Sequence, residues 1–421
     1  MASIVLSFVG QQDPFGSRTG EGSLVTLVRS LVEQRKVIKK VILIYTEGHS
    51  GTAKGAQETK DWLFSELGID GSAVELIAAS QDLSDDPTDL FEAAKEARRG
   101  LHIAQQQASS DDEIELNASS GTPAMKSSFT LLQAAGYIVN GQVWQVRDPQ
   151  KMKEGQMRVF KTDGAVFRYE LDLKVIKRQI EDYNYGGALE SLRISSLAND
   201  RAIALLEYGR CRMAFDFDAA FDHLCLLGDN VPAQLLQEIS ELRQRKLDAI
   251  AKELYFNALI RYENREFSEF LVLLTQFQEC VMALLIKKKL GLELPNKYQD
   301  TVGFWALVKT VDAGKPFEAL KDAYQKRGWQ LTMEGFTKRP QLIGLLSCYD
   351  DLVQLLGLIN FLNEYCEQRN RCVHRFEGIS AIENGTELVA KLKKLIRMLV
   401  ALPSENPFNV LNQEVYKLIG A

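Results

Sequence analysis

The run SIVLSFVG at 3–10, with GSLVTLVRSLVEQ at 22–34 and KVILIYTEG at 40–48 behind it, decides the fold of the N-terminal region. The outer two stretches are almost continuously apolar, as a strand covered on both faces must be. The middle one repeats its apolar residues at Leu24, Leu27, Val28 and Leu31, the period of a helix. Strand, helix, strand is the reading. The alternation continues with a helix near 53–66, a strand at 73–80 (AVELIAAS), a helix after Pro87 to about Gln107, a strand at 112–119 (DEIELNAS), a helix from Pro123 to Ala135 and a strand at 142–147 (QVWQVR). Such alternation predicts an α/β domain, a Rossmann-like parallel sheet with helices on both faces. Residues 157–172 (MRVFKTDGAVFRYELD) place two β-rich runs around Asp163-Gly164, a turn dipeptide that predicts a hairpin.

Beyond Asp172 strand signals nearly vanish and amphipathic helical patterns run to the end. Breaks are expected near Gly186-Gly187, Gly228 to Pro232, Gly291 to Asn296, Gly314 to Pro316 and Lys338 to Pro340. The segment DYNYGGALESL at 182–192 resembles a helical-repeat turn but shows no fixed period. Two domains are expected, an α/β unit over 1–175 and an all-α unit over 176–421.

Composition narrows the functional classes. With 421 residues, 50 Lys plus Arg against 56 Asp plus Glu, and a net charge of −6, the chain carries no global positive field, so any nucleic-acid site must be local. The six cysteines, all in the second half, form no C-x-x-C pair and suit reduced thiols in a cytoplasmic protein better than a zinc site or disulfide scaffold. The first residues lack the basic and small-residue pattern of a signal peptide, and no stretch reaches the roughly 18 uncharged apolar residues of a membrane span. No membrane partner is expected.

Two segments could carry chemistry. In ELNASSGTPAMKSS at 115–128 a strand runs into Ser119, Ser120, Gly121 and Thr122, and Pro123 suits the first turn of the next helix. Small residues, hydroxyls and free N–H groups at a helix start favour a phosphate or a polar base edge, at the carboxyl edge where such sheets bind ligands. A capped helix start would look the same. The loop after the first strand, Gly10 to Gly16, opens on that edge, with Gln11 and Asp13 as a donor and an acceptor, and so does Glu47 to Thr52. No G-x-x-x-x-G-K-[ST] is present, and the glycines at 16–22 lack dinucleotide-binding spacing.

The second segment, EQRNRCVHR at 367–375, ends the strongly apolar pattern DLVQLLGLINFLNEYC. Asn370 and His374 are i,i+4 neighbours, whereas Arg369 and His374 lie about 140° apart around a helix of 3.6 residues per turn. An interface histidine is one reading. The chemical one is phosphodiester cleavage, with a histidine exchanging protons and an arginine gripping the phosphate. When RNA is cut by its own 2′-hydroxyl, a base, an acid and positive charge suffice without a metal. One chain offers a single such histidine, so a catalytic motif here requires a homodimer.

Together, the Ser-Gly-Thr-Pro-x-Met loop at 120–125 after the fourth strand and Arg-Asn-x-x-x-His at 369–374 in a helical half resemble the CRISPR-associated ribonucleases of type III systems. These join a CARF sensor domain to a HEPN nuclease domain. The resemblance implies a homodimer that binds cyclic tetra- or hexa-adenylate as activator and cuts single-stranded RNA as a metal-independent endoribonuclease in antiviral defence. Carried over by position, Gly10, Gln11, Asp13, Ser119, Ser120, Gly121, Thr122 and Lys126 would contact the cyclic oligoadenylate, and Arg369, Asn370 and His374 would be the nuclease residues. No metal and no other cofactor is implied. Ser120 and Pro123 depart from the more frequent form of the sensor loop. The alternatives are a non-catalytic nucleotide-sensing regulator acting through its helical domain, and a nucleotide-dependent metabolic enzyme, which the missing glycine fingerprint disfavours.

Overall fold

A computed structural model describes residues 2–16, 20–138, 140–162, 164–295, 301–333, 337–375 and 377–420. Asp163 of the expected hairpin turn, Asn296, and the side chains of Ala165, Glu367 and Val373 lie outside this description. The chain divides into two compact units, residues 1–172 and 173–421.

The first unit is built on β1 (Ala2–Phe8), β4 (Val37–Tyr45), β5 (Val74–Ala78), β6 (Glu113–Asn117), β7 (Gly141–Val146) and β8 (Val159–Lys161), with β2 (Phe15–Gly16) and β3 (Gly20–Glu21) as a separate small ladder. The sheet order is β5-β4-β1-β6-β7-β8. The first five of these strands are parallel, and β8 runs antiparallel to β7, pairing Trp144 with Lys161. The pleat of β1 sends Ile4, Leu6 and Phe8 to one face, with α3 (Gln81–Asp85), α4 (Leu90–Gln107) and α5 (Pro123–Ala134). Val5 and Val9 go to the other, with α1 (Ser23–Glu33) and α2 (Ala53–Leu67). From β1 the chain therefore leaves toward β4 over one face, and it returns on the far side of β1 as β6. The crevice between the ends of β1 and β6 is the topological switch point of the sheet.

The expected hairpin does not form. Its first run is β8, which pairs back onto β7, and its second run opens the helix α6 (Ala165–Glu181). Val166, Phe167, Leu171 and Val175 are exposed on that helix, so the apolar residues that imitate a strand pattern are not a buried stripe.

The second unit is all helical: α7 (Tyr185–Arg193), α8 (Asp200–Met213), α9 (Phe217–Cys225), α10 (Ala233–Arg243), α11 (Leu247–Glu263), α12 (Phe267–Leu290), α13 (Val302–Val308), α14 (Lys315–Lys326), α15 (Arg339–Leu346), α16 (Val353–Arg375), α17 (Gly385–Leu399) and α18 (Pro407–Ile419). Helices α11 to α17 share one core, in which Phe270, Phe277, Leu285, Leu345, Ile359 and Leu392 are buried. By length and hydropathy α12 would suffice to cross a membrane, but 67% of its apolar window is buried within this core. Several helix connections among the described residues pass through a left-handed residue that is not glycine; those at Tyr183, Phe215, Arg245 and Arg265 each restart a helix within two residues. Gly186 and Gly187 fall inside the first turn of α7, so the break expected there lies earlier, at Tyr183 and Asn184.

Candidate functional sites

A cleft of about 750 Å³ opens at the switch point, lined by the loop after β1, the loop after β6, Ser50 and Thr52 after β4, and the segment 146–151 with Arg158. Of the residues expected to bind a ligand, all eight line it. Their side chains divide into those that build the cleft and those that face its contents.

Asp13 and Ser120 build it. Ser120 Oγ donates a hydrogen bond to Asp13 Oδ2, and Gly10 N donates to Asp13 Oδ2 at 2.9 Å and to Ser120 Oγ at 2.9 Å. Leu24 N, at the start of α1, donates to Asp13 Oδ1 at 3.2 Å. Asp13 thereby caps a helix whose own N-cap, Gly22, has no side chain to offer. At 6% and 3% exposure, Asp13 and Ser120 are committed to tying the two loops together rather than free to read a base edge. Burial raises the Asp13 carboxyl above its ordinary value, while the hydrogen bonds from Ser120, Gly10 and Leu24 and the charge of Lys126 act in the opposite direction. The loops approach so closely that a Cβ on Gly10 would stand 2.8 Å from Gly121 N. Gly121 itself has φ +88°, and a Cβ there would meet Met125 Sδ at 2.7 Å, so both positions require glycine.

Ser119 Oγ accepts from Val146 N at 2.7 Å, joining the β6 loop to the end of β7. Thr122 is the N-cap of α5, with Pro123 in the first turn; its Oγ1 accepts from Met125 N at 3.3 Å and donates to Pro87 O at 2.6 Å. Gln11, exposed, donates from Nε2 to Ser50 O at 2.7 Å. Lys126, one turn into α5, makes no carboxylate ion pair among the described residues and brings positive charge to the cleft.

Sequence reading missed the far wall. Arg147 stacks its guanidinium 3.6 Å from the Phe160 ring centre and donates to Met157 O at 2.7 Å. Arg158 donates from Nη2 to Glu21 O at 3.2 Å, and its Nε is buried without a partner. With Lys151 and Lys126 these arginines make four cations on the rim; of the acids that line it, Asp13 is buried, Glu21 is held by Arg29 at 2.6 Å and Asp148 accepts from Gln150 N at 3.0 Å. A locally positive, hydroxyl-lined cleft in an acidic chain suits an anionic ligand that offers phosphates and polar ring edges.

The second site lies on the last turns of α16. Arg369 Nη1 donates to Asn370 Oδ1 at 3.2 Å; both side chains are half-buried, and His374 is exposed. The helix runs unbroken to Arg375, which keeps Arg369 and His374 about 140° apart around its axis. The fold thus brings the arginine and the amide together, while the exposed imidazole sits one turn on from Asn370 and far around the helix from Arg369.

Among the described residues one Glu/Cys/His group, Glu207, Cys211 and His223, has its ligand atoms within 4.8 Å of one another. It is poorly suited to a cation. Glu207 already accepts from Arg193 at 2.9 Å and from Arg210 at 2.7 Å, and burial pushes the Cys211 thiol up.

Along nearly its whole length the chain is similar to endoribonucleases of CRISPR systems. It is 20% identical to the CRISPR system endoribonuclease Csm6 of Enterococcus italicus over 97% of both chains. It is 24% identical to the CRISPR system endoribonuclease Csm6' of Streptococcus thermophilus over 84% of this chain and 90% of that one. Its fold matches that of Enterococcus italicus Csm6 bound to cyclic hexa-2'-fluoro-hexa-dAMP with a TM-score of 0.69 at 17% identity, covering 99% of this chain and 100% of the other. No family model matches the sequence.

Proposed function

We propose that the chain is a CRISPR endoribonuclease switched on by a cyclic oligoadenylate bound in the switch-point cleft. Residues 1–175 act as the sensor, and residues 176–421 cut single-stranded RNA as a homodimer in the cytoplasm. Full-length similarity to named CRISPR endoribonucleases supports the activity, and the cationic cleft supports the ligand class. The dimer reading is carried by a single observation: one chain presents a single imidazole in the motif, His374, about 140° around α16 from Arg369, so it holds only part of a cutting centre.

In the composite site the RNA 2′-hydroxyl attacks the adjacent phosphorus in line. One imidazole, His374 or the partner's His374, takes the 2′ proton, and the other protonates the departing 5′ oxygen. The products are a 2′,3′-cyclic phosphate and a 5′-hydroxyl. Arg369 grips the non-bridging phosphate oxygens with its planar fork, and Asn370 fixes its orientation. No step requires a metal ion. Gly10, Asp13, Ser119, Ser120, Gly121 and Thr122 shape the sensor cleft, and Gln11 and Lys126 face the ligand. The activator shifts the nuclease pair by no more than its difference in affinity for the resting and active arrangements, typically about 1–3 kcal/mol.

The test is cleavage of a labelled single-stranded RNA with cyclic tetra- or hexa-adenylate or without either, in the presence of EDTA. Activator-dependent cutting that survives the chelator is expected. Full dependence on a divalent metal would overturn the mechanism, and indifference to both nucleotides would overturn the ligand.

A further inference from the structure

Arg339 heads α15 and reaches across to α16, donating from Nη1 to Asn363 Oδ1 at 3.4 Å and to Cys366 Sγ at 2.7 Å. Cys366 lies three residues before Arg369 and four before Asn370, which puts the Arg339 guanidinium one helical turn from the nuclease motif. Its described hydrogen-bond partners are polar and uncharged. Gln278 of α12, fully buried, donates from Nε2 to Ile359 O at 2.8 Å and to Asn363 Oδ1 at 2.8 Å, and accepts from Cys366 Sγ at 3.5 Å. Three helices are thereby pinned together beneath the motif.

Arg339 and Arg369 share an uncommon condition. Each keeps a buried Nε with no hydrogen-bond partner, and neither forms a carboxylate ion pair among the described residues. Elsewhere in the helical unit Arg193, Arg210, Arg212, Arg243 and Arg261 each meet an Asp or Glu. A guanidinium stays charged at any physiological pH, and a partly buried cation calls for a counter-charge. Two such cations, one on the motif and one bonded to Cys366 a turn before it, with only amides and a thiol as described partners, leave a place for an anion with more than one negative group.

We propose that Arg339 is a second phosphate-binding residue of the RNA site, holding the phosphate next to the one that Arg369 grips. The inference rests on the nuclease reading above and extends it, assigning a substrate contact to a residue outside the Arg-Asn-x-x-x-His motif. A single strand threads successive phosphates past the site, and a fork-shaped donor suits each of them.

The experiment measures binding of an uncut single-stranded RNA to the full chain in a His374→Ala background, with activator present, over a range of salt concentrations. Arg339→Gln is expected to weaken RNA binding about tenfold and to lower the slope of log K against log salt by about 0.7, the loss of one phosphate contact. Arg339→Lys, which keeps the charge, should retain the slope. With His374 intact, Arg339→Gln should raise KM for RNA at little cost to kcat, and affinity for the cyclic oligoadenylate should not change. Unchanged RNA affinity and slope in Arg339→Gln, or a fall in kcat at constant KM, would overturn the proposal in favour of a packing role. If Arg339→Gln fails to fold by thermal unfolding, the Lys variant decides, and loss of its slope would likewise overturn it. If the unmodified chain neither cuts nor binds RNA, it is the nuclease reading that falls.

Discussion

Replacing Ser120 by alanine separates a building role from a ligand-reading one. The hydroxyl donates to Asp13 Oδ2 within a pocket that leaves the carboxylate 6% exposed, and its removal leaves that oxygen with Gly10 N alone. A buried hydrogen bond to a charged group contributes about 1.5–3 kcal/mol. For a unit of this size each kcal/mol moves the melting temperature by about 2–4 °C, so Ser120→Ala should lower the Tm of the N-terminal unit by roughly 3–12 °C. The sign of the pH dependence follows from Asp13. Burial already raises its folded value above the unfolded one, so the ionised form weakens the fold; that cost is absent at low pH and grows as pH rises through the folded value. Loss of the serine hydrogen bond raises Asp13 further. The Ser120→Ala penalty should therefore be largest at neutral pH and shrink as pH falls through the Asp13 titration. Differential scanning fluorimetry from pH 4 to 8, paired with isothermal titration of the cyclic oligoadenylate, reads both quantities. An unchanged, pH-independent Tm together with a large loss of ligand affinity would refute the reasoning and place Ser120 in direct contact with the ligand.

Other outcomes follow from the same geometry. His374→Ala and Arg369→Ala should each reduce RNA cleavage by at least about a thousandfold while leaving cyclic oligoadenylate affinity intact, as measured by gel assay and titration calorimetry. Gly10→Ala forces a Cβ to 2.8 Å from Gly121 N and should weaken ligand binding tenfold or more without disturbing unfolding of the helical unit. Glu253→Ala strips the bidentate partner from the fully buried Arg212 and should cost about 3–5 kcal/mol in urea denaturation, far more than Arg193→Ala, which removes a half-exposed arginine from Glu207.

The parallel sheet was legible because its strands are continuous apolar runs and α1 carries its apolar residues at helical spacing. The α6 helix was not, since Val166, Phe167, Tyr169 and Leu171 follow a turn-like Asp-Gly and are not hidden on a single stripe. That misreading also concealed the cationic wall: Arg147, Lys151 and Arg158 belong to the segment that β8 folds back against β7. Helix breaks with glycine were visible at Gly228, Gly291 and Gly314. Those at Phe215, Arg245 and Arg265 were not, because a left-handed residue bearing a side chain has no mark in composition. The loops that line the cleft were legible by their small residues and their place after strands. Which polar side chains face inward is decided by long-range contacts, so Asp13 read as an open acceptor when its carboxylate is spent on Ser120, Gly10 and Leu24. Gln278, Asn363 and Arg339, drawn from three helices, have no common signature in the sequence.

The angular separation of Arg369 and His374 around one rigid helix has a consequence for dosage. On the composite centre proposed above, a lone polypeptide carries half a blade, so scarcity would itself be a safety catch: at low expression the encounter of two copies, rather than the arrival of the alarm nucleotide, would become the slow event. Diluting the enzyme should silence it in proportion to the square of its concentration, even when every sensor is filled.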